Sequence, residues 1–268
     1  MSKLSEQASR DLVAIREKKP LIHNITNFVV MNTTANTLLA LGASPVMAHT
    51  ENEVAEMVSF AGALVLNIGT LTDDWIASMI AAGKKANSLN TPVILDPVGS
   101  GATALRTDSA RKILDQVRVS VIRGNASEIL SLRRRDSRTR GVDAMHSVDE
   151  AAETAVVLAK ELGTTLAITG PTDLVTDGQR VIQVANGHPL MGYVTGTGCA
   201  ATATIGAFLS VDEDPVNATA AGLAFFGLAG ERAGETAAAP GSFQTALIDA
   251  LYTITPEALA EGARFDQQ

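Results

Sequence analysis

Two glycines and a cysteine open a long alanine-rich segment, in the order Thr195-Gly196-Thr197-Gly198-Cys199. Glycines at the start of a helix leave backbone N–H groups uncovered, and the positive end of the helix dipole lies at the same place. The pattern therefore predicts a site for a phosphate or another anion, and an ordinary tight turn is the alternative.

The same segment matches the dinucleotide fingerprint G-x-G-x-x-A through Gly196, Gly198 and Ala201. That fingerprint should open the first βα unit and be followed by a strand that ends in an acidic residue. Here it comes late, and a helical pattern continues almost to the C-terminus. The chain also lacks a G-x-x-x-x-G-K-[ST] loop. We therefore exclude a dinucleotide-binding fold and a P-loop enzyme.

Cys199 is the only cysteine of the chain. At the start of a helix, the dipole and the nearby N–H donors are expected to lower the pKa of its thiol. A small buried hydrophobe is the plainer interpretation of a lone cysteine, and a covalent Cys–His mechanism is the sharper one. The histidines show no partner motif or metal spacing, and they are His23, His49, His146 and His188.

Two carboxylates follow apolar runs and are candidate metal or catalytic groups. Asp96 ends one run and precedes a Gly-Ser-Gly turn, so it is either a ligand or an Asx residue of that turn. Glu128 lies three residues after Asn125, which is a helix-capping pattern, and on the residues alone capping is favoured. Mg²⁺ binding is the alternative for Glu128, because that ion prefers oxygen ligands.

Short apolar runs alternate with longer helix-patterned segments. The runs are residues 21–22, 64–66, 93–95, 119–122 and 166–168, and the helical patterns are residues 32–41, 51–60, 73–89, 107–117 and 148–162. Continuous apolar runs separated by helices indicate a parallel sheet covered on both faces. The sequence therefore predicts a three-layer α/β fold, and the absence of a Pro- or Gly-rich linker favours one domain over residues 1–268.

Each apolar run stops in a polar or glycine-bearing turn. The turns are residues 23–27 (HNITN), 67–70 (NIGT), 96–99 (DPVG), 123–125 (RGN) and 169–170 (TG). In an open α/β sheet the carboxyl ends of the strands line the edge where ligands bind. The five turns predict a small-molecule site at that edge.

Composition excludes several classes of protein. The formal net charge of −8 argues against nucleic-acid binding, which depends on clustered Lys and Arg. The arginine run at residues 133–140 is interrupted by Asp136 and is interpreted as a solvated loop or helix end. The longest uncharged stretches, 199–211 and 218–230, are too short for a membrane span and predict tightly packed interior helices. A single cysteine and an N-terminus without an apolar core favour a soluble cytoplasmic protein.

Eight segments in this order resemble one family. They are residues 20–27 (PLIHNITN), 43–47 (ASPVM), 63–70 (ALVLNIGT), 93–99 (VILDPVG), 122–129 (IRGNASEI), 140–143 (RGVD), 167–170 (AITG) and 195–199 (TGTGC). Over residues 10 to 255 the chain is similar to the hydroxyethylthiazole kinases of thiamine salvage, which belong to the ribokinase-like superfamily.

The resemblance implies an α/β/α sandwich of the ribokinase-like type with a mostly parallel sheet. It also implies an MgATP-dependent kinase that phosphorylates 4-methyl-5-(2-hydroxyethyl)thiazole, and a homotrimer with active sites at subunit interfaces. By the same resemblance, Asn27, Met47 and Gly196 contact the thiazole alcohol. Arg123 and Thr169 contact ATP.

The remaining residues that the resemblance assigns lie at the reacting groups. Asp96 and Glu128 organise magnesium and phosphate, so that Glu128 is both a cap and a ligand. Most ribokinase-like sugar kinases carry Asp where this chain has Cys199, and a thiol is the poorer base. We therefore expect the N–H groups around Gly198 to stabilise the transferring phosphoryl group, with Cys199 orienting the alcohol.

Two other functions stay open on the sequence alone. One is another ribokinase-like activity, such as a pyrimidine or vitamin B6 alcohol kinase or an ADP-dependent hydrate dehydratase. The other is a ligand-binding protein without catalysis on the same fold.

Overall fold

The computed structural model describes residues 2–133 and 148–267. The helices are α1 (Lys3–Lys18), α2 (Met31–Leu41), α3 (Glu51–Val58), α4 (Asp73–Leu89), α5 (Ala104–Leu114), α6 (Ala126–Ser131), α7 (Val148–Leu162), α8 (Thr197–Leu209), α9 (Pro215–Thr236), α10 (Pro240–Thr253) and α11 (Pro256–Gly262). The strands are β1 (Leu21–Ile25), β2 (Ser44–Val46), β3 (Ala63–Asn67), β4 (Val93–Asp96), β5 (Val121–Asn125), β6 (Thr165–Thr169), β7 (Asp173–Thr176), β8 (Val181–Val184) and β9 (Phe265–Gln267). A 3₁₀ helix, Pro189–Tyr193, precedes α8.

The strands form one sheet in the order β2-β1-β3-β4-β5-β6-β7-β8-β9. Neighbours from β2 to β6 pair in parallel, whereas β7, β8 and β9 add an antiparallel extension at one side. The mostly parallel sheet of the sequence prediction is confirmed. Consecutive parallel strands are joined by helices, because a crossover is needed to return the chain to the same end of the sheet.

The two faces of the sheet carry separate apolar clusters, since side chains alternate along each strand. Val65 and Ile94 pack on the face covered by α1, α2, α8, α9, α10 and α11. Leu64 and Leu95 pack on the opposite face, under α3, α4, α5 and α7. The predicted three-layer sandwich is therefore confirmed.

Helix α8 lies directly on the sheet and α9 lies on α8. All residues of α8 from Ala200 to Leu209 are buried. A Cβ added to Gly206 would lie 3.0 Å from Cγ2 of Val65, and one added to Gly222 would lie 3.0 Å from Cα of Ile205. Small residues thus allow the close approach that the sequence predicted for these two helices.

Several predicted boundaries differ from the structure. Helix α5 begins three residues before the predicted start, because the hydroxyl of Thr103 accepts the N–H of Arg106 and caps the helix there. Strand β5 runs to Asn125 instead of stopping at residue 122, since its pairing with β6 continues to Asn125 opposite Thr169. Arg123 therefore lies within a strand and not in the turn after it.

No helix in residues 2–133 or 148–267 is long and apolar enough to cross a membrane. Of the arginine run at residues 133–140, only Arg133 lies within the described residues, so the interpretation of this run as a solvated loop or helix end stays a prediction. The RGVD segment at residues 140–143 lies entirely outside the described residues.

Candidate active site

The predicted polar edge forms at the carboxyl ends of β1, β3, β4, β5 and β6, next to the N-terminus of α8. Parallel pairing aligns Asn67 with Asp96 and Asn125 with Thr169 at the ends of neighbouring strands. The turn that follows β1 brings Asn27 to the same edge, where its amide contacts Asn67. Residues far apart in the sequence thereby share one site.

Cys199 lies in the first turn of α8 and is partly buried. Its Sγ accepts hydrogen bonds from Nδ2 of Asn67 at 3.2 Å and from Nδ2 of Asn27 at 3.5 Å. Burial, and after it the neighbouring Asp96 carboxylate, raise the pKa of the thiol to about 11, and the two amides oppose that rise. The expectation of a lowered thiol pKa is therefore wrong, because desolvation outweighs the N–H donors.

Asp96 ends β4 and is fully buried. Its Oδ2 accepts from Nδ2 of Asn67 and from Oγ1 of Thr202, both at 2.8 Å, and lies 3.9 Å from Nη1 of Arg123. Burial raises the pKa of the carboxyl, and Arg123 opposes that rise. The second oxygen, Oδ1, is buried and finds no hydrogen-bond partner among the residues that the structure describes. A buried acceptor without a partner is costly, so this oxygen is available to a ligand.

Arg123 reaches from β5 towards α8. Its Nη2 donates to Oγ1 of Thr169 at 2.7 Å. A Cβ added to Gly198 would lie 2.6 Å from Nη1 of Arg123, so the guanidinium rests against the bare backbone of the helix. The two predicted ATP contacts are thus joined to each other and to the glycine of the first helical turn.

Glu128 serves as a helix cap and also holds a neighbouring loop. Its Oε2 accepts the N–H of Asn125 at 2.9 Å, and Oδ1 of Asn125 accepts the N–H of Glu128 at 2.9 Å. Its Oε1 accepts the N–H of Gly99 at 2.8 Å. The capping interpretation is confirmed. The same carboxylate ties α6 to the turn that follows Asp96, and its charge acts on Asp96.

The N-terminus of α8 presents backbone N–H groups, as the sequence predicted. Gly196 adopts φ +85°, and a Cβ there would lie 2.8 Å from Cγ1 of Val30. Within residues 2–133 and 148–267 no side chain caps the helix, and the first intrahelical bond of the cap is the N–H of Ala200 to the carbonyl of Gly196. The amides of Thr197, Gly198 and Cys199 precede that bond and are the donors that a helix leaves without an internal partner.

A cavity of about 580 Å³ opens at this helix end. Arg123, Thr169 and Gly198 line one part of it, and apolar side chains such as Met191 and Phe226 line another. Cavities of this size with a few converging polar groups are typical small-molecule sites. Cys199 does not line the cavity. Gly198 therefore faces the cavity, whereas the next residue, Cys199, faces Asn27 and Asn67.

Met47 follows the edge strand β2 and is partly buried. The backbone beside it is held by His23, whose Nε2 lies 2.7 Å from the carbonyl oxygen of Ala48, and burial lowers the pKa of that histidine. His49 Nδ1 lies 3.4 Å from the carbonyl oxygen of Met47. His188 accepts the N–H of Leu190 and stacks on a phenylalanine. Within the described residues, the hydrogen bonds of these three histidines go to groups other than Cys199. His146 lies outside the described residues.

Three functional neighbours were not singled out from the sequence. The sequence shows Asn67 only as the first residue of a polar turn. Thr202 follows Gly198 by one helical turn, which is the only sequence signal that it faces the same side. Arg106 donates to the carbonyls of Ile68, Val98 and Gly69, and it thereby joins the turns after β3 and β4. No sequence pattern marked Arg106.

A carboxylate of the cavity wall was also missed. Asp173 begins β7, lines the cavity and accepts the N–H of Gly170 at 2.9 Å. Burial raises its pKa to about 6. The sequence pattern does not predict the antiparallel strand β7, so it does not place Asp173 at the site.

Comparison with known proteins gives consistent matches. The model of the hydroxyethylthiazole kinase family matches residues 12–257. A hydroxyethylthiazole kinase of Desulfotalea psychrophila is 65% identical over 267 residues, which cover 100% of this chain and 98% of the relative. One of Methanocella arvoryzae is 51% identical over 253 residues, covering 94% and 95%.

Solved structures agree with these matches. The hydroxyethylthiazole kinase of Pyrococcus horikoshii superposes with a TM-score of 0.90 at 47% identity and covers 97% of this chain and 98% of that chain. A pyridoxal kinase of Staphylococcus aureus, solved with pyridoxal, superposes with a TM-score of 0.66 at 18% identity and covers 93% and 98%. The second likeness shows the fold alone.

Proposed function

Because the chain belongs to the hydroxyethylthiazole kinase family, we propose that the site at the N-terminus of α8 is where it phosphorylates hydroxyethylthiazole. The observation that carries this assignment is the position of the first turn of α8. Gly198 of that turn lines the cavity, and the adjacent Cys199 contacts Asn27 and Asn67 on the other side. A nucleotide in the cavity and an alcohol beside Cys199 would therefore lie on the two sides of this turn, next to its uncapped backbone amides.

ATP is the co-substrate of the kinase, and we assign it to the 580 Å³ cavity. Arg123 supplies a fixed positive charge there, and its bond to Thr169 orients the guanidinium. Planar guanidinium groups suit phosphate oxygens, because they donate two parallel hydrogen bonds. The apolar part of the cavity, with Met191 and Phe226, suits the base.

In the reaction the alcohol oxygen attacks the γ-phosphorus, the bond from the γ-phosphorus to the β,γ-bridging oxygen breaks, ADP leaves, and the hydroxyl proton is released to solvent. The transition state is loose and spreads negative charge over the equatorial oxygens, so alignment and charge stabilisation contribute most. The amides of Thr197, Gly198 and Cys199 supply donors at that place. A donor of this kind contributes roughly 3–4 kcal/mol to lowering a barrier.

The thiol of Cys199 has a secondary part in this scheme. A pKa of about 11 leaves it protonated at neutral pH, so it is a poor acceptor for the hydroxyl proton. Its position beside the amides of Asn27 and Asn67 fits a group that orients the alcohol. Met47, Asn27 and Gly196 form the proposed thiazole side of the site.

Magnesium fits the carboxylates that the site contains. Oδ1 of Asp96 is a buried oxygen that has no hydrogen-bond partner in the described part of the chain, and Glu128 lies close enough to act on Asp96. Among the described residues there is no cluster of three or more metal-ligating side chains. A site with only one or two protein ligands is suitable for Mg²⁺, because this ion keeps several waters and is usually held by one or two carboxylates and substrate phosphates. When bound, the ion would neutralise charge on the transferring phosphates.

A homotrimer with active sites at subunit interfaces is part of the proposal. Large apolar side chains next to the site are exposed in the single chain, among them Phe28, Val29 and Tyr193. Such residues beside Asn27 and Gly196 suit a surface that a second copy covers. We also propose one kinase domain over residues 1–268, which the continuous sheet supports, and a cytoplasmic location, where ATP is available.

An ADP-release assay with hydroxyethylthiazole, ATP and Mg²⁺ tests the function. ADP should form only when the alcohol is present, and omission of Mg²⁺ should abolish it. Faster turnover with a pyrimidine or vitamin B6 alcohol would assign a different ribokinase-like activity. Binding of the thiazole alcohol without ADP production would identify a ligand-binding relative.

A further inference from the structure

The side chain of Asn67 connects three of the proposed site residues. It ends β3, is 1% exposed and makes four hydrogen bonds. Its Oδ1 accepts from Nδ2 of Asn27 at 2.8 Å and from the N–H of Gly69 at 2.9 Å. Its Nδ2 donates to Oδ2 of Asp96 at 2.8 Å and to Sγ of Cys199 at 3.2 Å. All the hydrogen-bonding atoms of this amide are therefore occupied.

The orientation of the amide follows from its partners. The N–H of Gly69 can only donate, so the oxygen of Asn67 must face it. Both hydrogens of Nδ2 then point to the opposite side, one at Asp96 and one at Cys199. A flipped amide would set N–H against N–H at Gly69 and oxygen against oxygen at Asp96, which the buried site disfavours.

We propose that Asn67 is a positioning residue that holds the Asp96 carboxylate and the Cys199 thiol in a fixed arrangement for phosphoryl transfer. This inference rests on the proposed function of the site. Asn67 acts through those two residues and lies outside the wall of the nucleotide cavity.

The arrangement determines which atoms remain for the substrates. Oδ2 of Asp96 is occupied by Asn67 and Thr202, and this leaves Oδ1 as the free oxygen. Sγ of Cys199 accepts N–H groups from Asn67 and Asn27, so the thiol hydrogen points away from both amides. The amide of Asn67, together with Thr202 and Asn27, thus determines which oxygen of Asp96 stays free and where the thiol hydrogen points.

The test compares two variants with a matched control. Asn67→Asp keeps the shape but replaces the donating Nδ2 with an acceptor, and Asn67→Ala removes the side chain without burying a charge. The control is Asn24→Ala, because Asn24 lies within β1, is also fully buried, and among the described residues its Nδ2 donates to the carbonyl of Ile22 alone.

Both Asn67 variants should lower kcat by about 10- to 100-fold, as loss of an orienting partner typically does. The KM for ATP should stay within about threefold, since Asn67 does not line the cavity. Asn24→Ala should keep kcat within about twofold of the natural chain. A kcat within twofold in Asn67→Ala, or a loss of kcat as large in Asn24→Ala, would overturn the inference. If Asn67→Asp does not fold, the kcat of Asn67→Ala alone supports or overturns the inference.

A second measurement does not depend on turnover. Cys199 is the only cysteine, so alkylation with iodoacetamide at one fixed pH reports on its thiol alone. Asn67→Asp removes the N–H that faces Sγ without opening space, and it should slow alkylation about tenfold, whereas a loosened structure would expose the thiol and speed it. Unchanged or faster alkylation would contradict the inference. Absence of ADP release by the natural chain would instead refute the proposed function. Slowed alkylation would then still show that Asn67 holds the thiol, without a role in phosphoryl transfer.

Discussion

Replacing Gly198 with alanine should separate catalysis from folding. The residue lies in the first turn of α8 with an ordinary helical backbone, so alanine should stabilise the helix by up to about 1 kcal/mol. The new Cβ, however, would lie 2.6 Å from Nη1 of Arg123. Ordinary contact requires about 3.4 Å or more. The guanidinium must therefore move by roughly 1 Å, on the order of the misplacements that cost catalysis heavily.

That displacement acts on two contacts of Arg123. It disturbs the 2.7 Å bond to Oγ1 of Thr169 and the 3.9 Å approach to Oδ2 of Asp96. A misplacement of about 1 Å can lower a rate by about 100-fold, which is about 2.7 kcal/mol of barrier. We therefore expect kcat/KM for ATP to fall by about 100-fold, while the midpoint of urea unfolding stays the same or rises.

The assay is steady-state ADP release together with urea denaturation. Gly241→Ala is the matched control, because Gly241 occupies the second position of α10 and an added Cβ there meets no other part of the described chain within 4 Å, beyond its own helix turn. It should keep full activity. A double-mutant cycle with Arg123→Gln tests the route: if Gly198→Ala acts through the guanidinium, it should add little to the loss in Arg123→Gln. Full activity of Gly198→Ala, or independent losses in the cycle, would refute the reasoning.

Three further predictions follow from the site and the core. Cys199→Ala should keep measurable turnover, because a thiol with a pKa of about 11 is not an effective base; complete loss of ADP release that Cys199→Asp does not restore would show a larger role. Glu128→Gln should raise the Mg²⁺ concentration needed for half-maximal activity and leave thiazole binding, measured by calorimetry, nearly unchanged. It should also cost about 1 kcal/mol of stability, since one of the N–H groups of Asn125 and Gly99 loses its charged acceptor. Asp11→Asn should stabilise the chain by up to about 3 kcal/mol at pH 7.5, because burial raises the pKa of the Asp11 carboxyl to about 6 from an ordinary value near 4. The natural chain should lose stability as the pH rises from about 4 to 7. The variant should lose less, because the carboxyls of Asp173 and Asp96, whose pKa values are also raised, remain. Parallel pH profiles in urea denaturation would contradict this.

The sequence by itself determined the layers and the edge that carries the site. Apolar runs such as residues 64–66 and 93–95 became buried strands, because their side chains are apolar on both faces and fill both clusters. The polar turns after those runs met at one edge, since parallel strands present their carboxyl ends together. The capping role of Glu128 was also readable, because Asn125 and Glu128 interact within one helical turn.

Only the tertiary structure decided which site residues contact one another and how deeply they are buried. The pKa of Cys199 follows from its burial beside Asp96, and the helix position that the sequence reveals predicted the opposite direction. The roles of Asn67 and Arg106 depend on hydrogen bonds between segments that are remote along the chain. Local spacing encodes hydrogen bonds within a turn and burial along one element. Desolvation and the orientation of an amide depend on which distant groups surround it, and those are set when the sheet and α8 pack together.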